Sequence, residues 1–290
     1  MDSTQALIPT ASPDQDRTLV RGWLRSKRSL HTQRAYLHDI TVFYEQVQKP
    51  LDQVTLTDLQ DYADWLRREH PTVSTQARML ATVKSLLTFA KNTGGSRFNV
   101  GMALQLPQGK DTLAQRILSP AQVHRMLYVA EASGNQRNHV MLLLLYGSGI
   151  RCAELCGLQW EDVQETSTGG QITVLGKRSK TRSIALHPTV WQALMDYRPV
   201  DAMAADYVFR SRQAPRISST QVWRIVSTIA RQAGIKASTH WLRHAHATHA
   251  MERNTPLKVI QETLGHADLR TPSRYQHVRP ETSSSLSLDL

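Results

Sequence analysis

The chain has 290 residues, enough for two ordinary domains, and a formal net charge of +11, which points to a polyanionic partner. Its isoelectric point near 9.9 says the same. Two cysteines, Cys152 and Cys156, are too few for a structural zinc site or a disulfide framework, and no stretch approaches the ~20 apolar residues of a membrane span.

Residues 1–14 show no basic segment followed by an apolar run, so no signal peptide is expected, and they read as a flexible tail. The expected compartment is a reducing cytoplasm, beside the nucleoid. Residues 15–105 read as a helical domain. Tyr36, Ile40, Phe43, Tyr44 and Val47 form one apolar face at helical spacing. Thr57 and Gln60 have capping-box spacing before a stripe of Leu59, Tyr62, Ala63 and Leu66. Leu80, Val83, Leu87 and Ala90 form a third stripe, stopped by Asn92-Thr93-Gly94-Gly95. The helices carry Arg21, Arg25, Lys27, Arg28, Arg34, Arg78, Lys84 and Lys91, a set suited to gripping phosphates.

Pro107 and Gly109 break the pattern, so 106–118 is expected to be a linker. Ser119-Pro120-Ala121-Gln122 then starts a helix by both its proline and its capping-box spacing. The second domain, 119–280, is expected to be mainly helical with a small antiparallel sheet. Its strands are "QITVL" (171–175) and "RSIAL" (182–186), joined by the turn "GKRSKT". Cys152 and Cys156 lie one helical turn apart and read as small apolar residues. Tyr146 and Tyr207 are expected in the core, and 281–290 as a tail.

A series of polar residues runs through this second domain. Arg151 and Glu154 lie in "GSGIRCAEL", where Gly147-Ser148-Gly149 reads as a turn after an apolar helix. Lys177 lies in "VLGKRSKTR", His240, Arg243 and His244 in "HWLRH", His266 in "LGH", and Tyr275 nine residues later. One helical turn places His240, Arg243 and His244 on one side. A phosphodiester repels nucleophiles and has a poor alkoxide leaving group. Cationic donors offset the charge that builds up in its transition state, and arginine does so with a planar fork that never deprotonates. Tyrosine is a nucleophile once its phenol, with a pKa of ~10, is favoured as phenolate by nearby cations.

In residue type, order and spacing this series resembles the tyrosine recombinases, the phage-integrase and Xer superfamily. The likeness is strong over 119–280 and weaker over 15–105. The stretches "MLLLLYGSGIRCAELCGLQWEDV" and "LRHAHATHAM" are similar to the family's two signature helical segments. The resemblance implies an N-terminal helical, SAM-like core-DNA-binding domain and a C-terminal mixed α/β catalytic domain, closing together around a duplex. It implies that Arg151 and Arg243 clamp the phosphate and that Glu154 holds Arg151. Lys177 would protonate the leaving 5′ oxygen, with Lys180 as the alternative. His240 would help accept the tyrosine's proton, His266 would bond the phosphate and Tyr275 would attack it. His244 is expected as a structural partner beside them. Arg178, Lys180 and Arg182 are candidate DNA contacts.

Attack by Tyr275 would give a 3′-phosphotyrosine and a free 5′-hydroxyl. The covalent link conserves the bond energy, so no ATP, metal or other cofactor is expected. The partners implied are double-stranded DNA with short inverted-repeat core sites, further copies assembling as a tetramer on DNA, and an accessory or partner recombinase. No membrane partner is expected. The task would be integration and excision of a mobile element, or resolution of chromosome or plasmid dimers. Competing readings are a type IB topoisomerase or telomere resolvase, and a DNA-binding regulator that has lost catalysis. Against the last, no member of the series is missing. Three features depart from the family pattern: a bulky Trp241, Pro272 and Arg274 just before the tyrosine, and a short serine-rich tail with only Leu286, Leu288 and Leu290 as apolar anchors.

Overall fold

A computed structural model describes residues 14–27, 29–109, 116–167, 169–176 and 181–265. Among these lie eleven α-helices and one three-stranded sheet, in two compact units, residues 1–110 and 111–290.

The first unit consists of α1 (Asp14–Arg25), α2 (Leu30–Val47), α3 (Leu56–Glu69) and α4 (Val73–Asn92). Each contributes one apolar stripe to a shared core around Trp23, Phe43, Tyr44, Tyr62 and Leu86. Burial of each such side chain is worth about 1.5–3 kcal/mol. Two carboxylates sit in this core, and both are bonded. Asp16 accepts from the Tyr44 hydroxyl at 3.1 Å and the Leu51 amide at 2.9 Å. Asp39, fully buried, accepts from Arg78 and from the Thr82 hydroxyl. Several expected phosphate-gripping cations are therefore engaged elsewhere. Arg78 pairs with Asp39, Lys84 donates to the Leu104 carbonyl at 2.5 Å, and Lys27 lies 5.0 Å over the Trp23 ring. Arg25, Arg34 and Lys91 stay exposed, while Arg28 lies outside the described residues.

The cap of helix α3 lies two residues before the one expected from Thr57 and Gln60. Thr55 is the N-cap: its hydroxyl accepts from the Asp58 amide, and Asp58 accepts from the Thr55 amide. Val54 before this cap and Leu59 after it both enter the core, the spacing of a hydrophobic staple, and that burial sets the helix start. The end of α4 falls at Asn92, and Gly94 follows with φ +79°.

The second unit runs α5 (Pro120–Ala132), α6 (Gln136–Ser148), α7 (Cys152–Gly157), β1 (Val163–Thr166), β2 (Gly169–Leu175), β3 (Thr181–Leu186), α8 (Pro188–Tyr197), α9 (Ser219–Gln232), α10 (Thr239–Glu252) and α11 (Leu257–Leu264). Ser119 caps α5 with Pro120 in the first turn and Gln122 completing the capping box. Helix α6 is apolar on every side, with Val140 through Leu145 all buried, so it forms the centre of the unit. The antiparallel sheet has order β1-β2-β3 and pairs Ile172 with both Val163 and Ile184. The two expected strands are its β2 and β3. Strand β1 follows a short 3-10 turn within "LQWEDV", so that signature stretch is helical only as far as Gly157. Of the expected core tyrosines, Tyr146 and Tyr207 are half-buried, and the Tyr146 hydroxyl lies 2.9 Å from His249 Nδ1.

Candidate active site

Three helix ends meet in the second unit: the C-terminus of α6, the start of α7 and the C-terminus of α11. Helix α6 continues through Gly147 and Ser148, which were expected in a turn. The reversal rests on Gly149 alone, at φ +64°. A Cβ at Gly149 would stand 2.7 Å from Leu264 and 2.8 Å from His246, so both the backbone sign and the space require glycine. Two residues later Arg151 caps α7 in extended conformation, and Glu154 in the first turn accepts from its amide at 2.8 Å.

Helix α11 ends in Gly265, also left-handed at φ +61°. The last carbonyls of a helix have no partners within it and carry the negative end of its dipole. Here three arginines supply those partners in consecutive order. Arg182 Nε donates to the Thr263 carbonyl at 2.7 Å, Arg243 to Leu264 at 2.7 Å and Arg151 to Gly265 at 3.2 Å. Arg243, buried on α10, also donates to the Gly149 carbonyl at 2.5 Å. Arg151 and Arg243 are thus fixed at one corner, with 39% of the Arg151 side chain still open to solvent.

Glu154 links two of these arginines. Its Oε1 accepts from Arg151 at 2.9 Å and Arg182 at 3.0 Å, and its Oε2 accepts from Arg182 at 2.9 Å. Burial by itself would push this carboxyl up. The hydrogen bonds from Arg182 and Arg151 outweigh it and hold Glu154 below the usual carboxylate range. The Arg182 side chain is only 12% exposed and turned inward. In this structure the donors of Arg182, expected as a DNA contact, are aimed at Glu154 and Thr263, because a buried carboxylate and an orphan carbonyl both need them.

His240 lies in the first turn of α10, only partly open to solvent, and its ring stands edge-on to that of buried His244 at 4.2 Å. Desolvation, helped by the charges of Arg243, Arg116 and Arg151, holds the His240 imidazole below the ordinary histidine value. A neutral imidazole among cations can accept a proton at neutral pH. Arg116 lies in the stretch expected to be linker, and no sequence signal marked it. Trp241 is half-buried against the core of the unit. Lys177, Arg178, Lys180, His266 and Tyr275 lie outside the described residues. Gly176 and Gly265 are the described residues just before Lys177 and His266 in the chain.

The model for the phage integrase family matches residues 116–282, and that for the phage integrase N-terminal SAM-like domain matches 23–94. Tyrosine recombinase XerD of Vibrio cholerae serotype O1 is 29% identical over 292 residues, 95% of this chain and 96% of the relative. Tyrosine recombinase XerC of Mycobacterium tuberculosis is 33% identical, over 88% of this chain and 90% of the relative. Among solved structures, a lambda integrase dimer bound to a COC′ core site is similar with a TM-score of 0.74, at 19% identity over 91% of this chain and 96% of that one. XerH bound to a difH substrate is similar with a TM-score of 0.66, at 18% identity over 87% of this chain and 76% of that one. At those identities the structural likeness is one of fold. With the integrase model spanning more than half of its length, the chain belongs to the phage integrase family of tyrosine recombinases, the site-specific recombinases that cut and rejoin DNA.

Proposed function

We propose that Arg151, Arg243, His240, His266, Lys177 and Tyr275 together carry out the cleavage, with Glu154 and His244 in support. The observation that carries this reading is the meeting of Arg151 and Arg243 on the adjacent carbonyls of Gly265 and Leu264, the residues just before His266 in the chain. Two guanidinium groups on adjacent carbonyls, that of Arg151 partly open to solvent, suit the non-bridging oxygens of one phosphate. Tyr275 attacks the phosphorus and its proton passes toward neutral His240. The 5′ oxygen leaves with a proton from Lys177, and the 3′-phosphotyrosine persists until a 5′-hydroxyl reverses the step. The substrate is duplex DNA with short core sites. The helical domain at 15–105 grips one side and the domain at 119–280 does the chemistry.

Four copies acting on two sites follow from the same reading. A lambda integrase tetramer on a Holliday junction is a structural neighbour, and relatives named XerC and XerD support a partner recombinase. Integration or excision of an element and resolution of dimers both use this chemistry. The test is covalent trapping in EDTA. Wild type and Tyr275→Phe are incubated with labelled DNA flanking the encoding gene, and label that survives SDS but not protease is scored. Adduct from wild type alone supports the assignment. Binding without adduct, on nicked substrates too, would replace it with a regulator.

A further inference from the structure

We infer that Arg182 is a positioning residue for DNA cleavage, which locks Glu154 and the last turn of α11 into one unit so that Arg151 is held at the Gly265 carbonyl. The inference rests on the reading of Arg151 as a phosphate-holding side chain.

Four observations converge on Arg182. Its two terminal nitrogens bond both oxygens of Glu154, at 3.0 and 2.9 Å, a geometry that fixes orientation as well as distance. Its Nε takes the Thr263 carbonyl at 2.7 Å, so one planar group ties β3 to α7 and to α11. Glu154 is 6% exposed, and without Arg182 its buried carboxylate would keep, among the described residues, only the partners on Arg151. Finally, a Cβ on Gly265 would come within 3.1 Å of Arg182 Nη1 and 3.2 Å of its Cζ. The guanidinium thus lies close against the turn that presents a carbonyl to Arg151.

The consequence for Arg151 is direct. Glu154 accepts from both the amide and the guanidinium of Arg151. If Glu154 swings, the cap of α7 and the direction of Arg151 move with it. Arg182 prevents that by donating to the same two oxygens. A lysine there would keep the charge and lose the planar fork.

The test uses full-length Arg182→Met, Arg182→Lys, Glu154→Gln and the Arg182→Met/Glu154→Gln double variant beside wild type, Arg151→Ala and Tyr275→Phe. Nicked duplexes tiled from DNA flanking the encoding gene serve as probes. Equilibrium binding is measured against salt, and the single-turnover rate of covalent adduct at saturating protein. The inference expects Arg182→Met to slow the covalent step by about tenfold or more, the scale of a small misplacement, with affinity and salt slope unchanged. It expects Arg182→Lys to fall between Met and wild type, and the double variant to be no slower than the slower single one. A salt slope reduced by about 0.9 would make Arg182 a phosphate contact and overturn the inference. So would a wild-type rate in Arg182→Met, or losses that multiply in the double variant. Should Arg182→Met fail to fold, Arg182→Lys against Glu154→Gln decides by the same criteria. A wild-type rate in Arg151→Ala or adduct from Tyr275→Phe would instead remove the reading on which the inference stands.

Discussion

The guanidinium of Arg243 donates to the carbonyl of Gly149, which lies 94 positions earlier in the chain. This bond joins α10 to the corner between α6 and α7. It satisfies a carbonyl that a left-handed residue turns out of the helix, and it fixes one of the two proposed phosphate-binding arginines from behind. Residues that shape this corner should therefore affect both stability and cleavage.

Gly149→Ala tests the corner. The left-handed backbone costs a non-glycine residue about 1–2 kcal/mol, and crowding against Leu264 and His246 adds about 1–3 kcal/mol. The expected loss is about 2–5 kcal/mol by denaturant unfolding, together with slower adduct formation in whatever protein stays folded. Unchanged unfolding would show that the corner relaxes freely.

His240 bears on pH dependence. With its pKa below the usual value of about 6.5, it stays neutral down to mildly acidic pH. The rate of adduct formation is expected to hold steady from pH 7.5 to about 6.5 and to fall only at lower pH. His240→Ala is expected to lose roughly 10²–10⁴-fold in that rate. A rate already halved at about pH 7 in the wild type would contradict a depressed pKa.

Stability should follow pH in the same direction. Burial chiefly lowers the His246 pKa too, although its Nδ1 lies 2.7 Å from the Tyr146 carbonyl. For both histidines the unfolded chain takes up a proton first as pH falls below about 6.5. Their contribution is therefore whole above that pH, declines through the window down to the folded pKa, and is lost below it. Melting temperature measured from pH 7.5 to 5 is expected to fall, with a shallower slope in His246→Gln. An equal slope in both proteins would assign the loss to other groups.

The two thiols should differ in reactivity. The neighbouring Cys156 thiol is the main cause that lowers the Cys152 thiol to about 7, and Ser219 and Thr239 contribute. The Cys156 thiol is pushed up. Iodoacetamide is expected to label Cys152 first, with a half-maximal rate near pH 7, and Cys156→Ala is expected to move that midpoint upward. Peptide mass spectrometry reads both. Equal labelling of the two would refute the pairing.

In the first unit, Arg78→Met would leave the buried Asp39 carboxylate with Thr82 as its bonded partner. Removing one member of such a pair typically costs about 3–5 kcal/mol. Because Arg78 is partly exposed, a loss near 3 kcal/mol or somewhat less is expected from tryptophan-monitored unfolding, with little change at saturating DNA in the covalent step. A loss under about 0.5 kcal/mol would show that water satisfies Asp39.

Periodicity carried most of the fold. The stripes on α2, α3 and α4 and the capping box at Ser119 stand where the sequence puts them, because one buried face at helical spacing admits little else. Local signals failed where two candidates were close. Thr55 and Thr57 both offer a capping spacing, and burial of Val54 and Leu59 decides between them. Strand β1 was hidden because four residues with a single buried position carry no alternation to read.

The sequence alone supplied the type and order of the proposed site residues, since these residue types suit what a phosphodiester requires. It could not determine which arginine faces outward. Arg151 and Arg182 are both basic residues beside a short element, and nothing local separates them. Only the tertiary structure sends Arg182 to a buried carboxylate and an orphan helix carbonyl while leaving part of Arg151 open to solvent. The physical reason is that a buried charge must be matched wherever packing happens to place it, and packing joins residues that lie far apart in the chain.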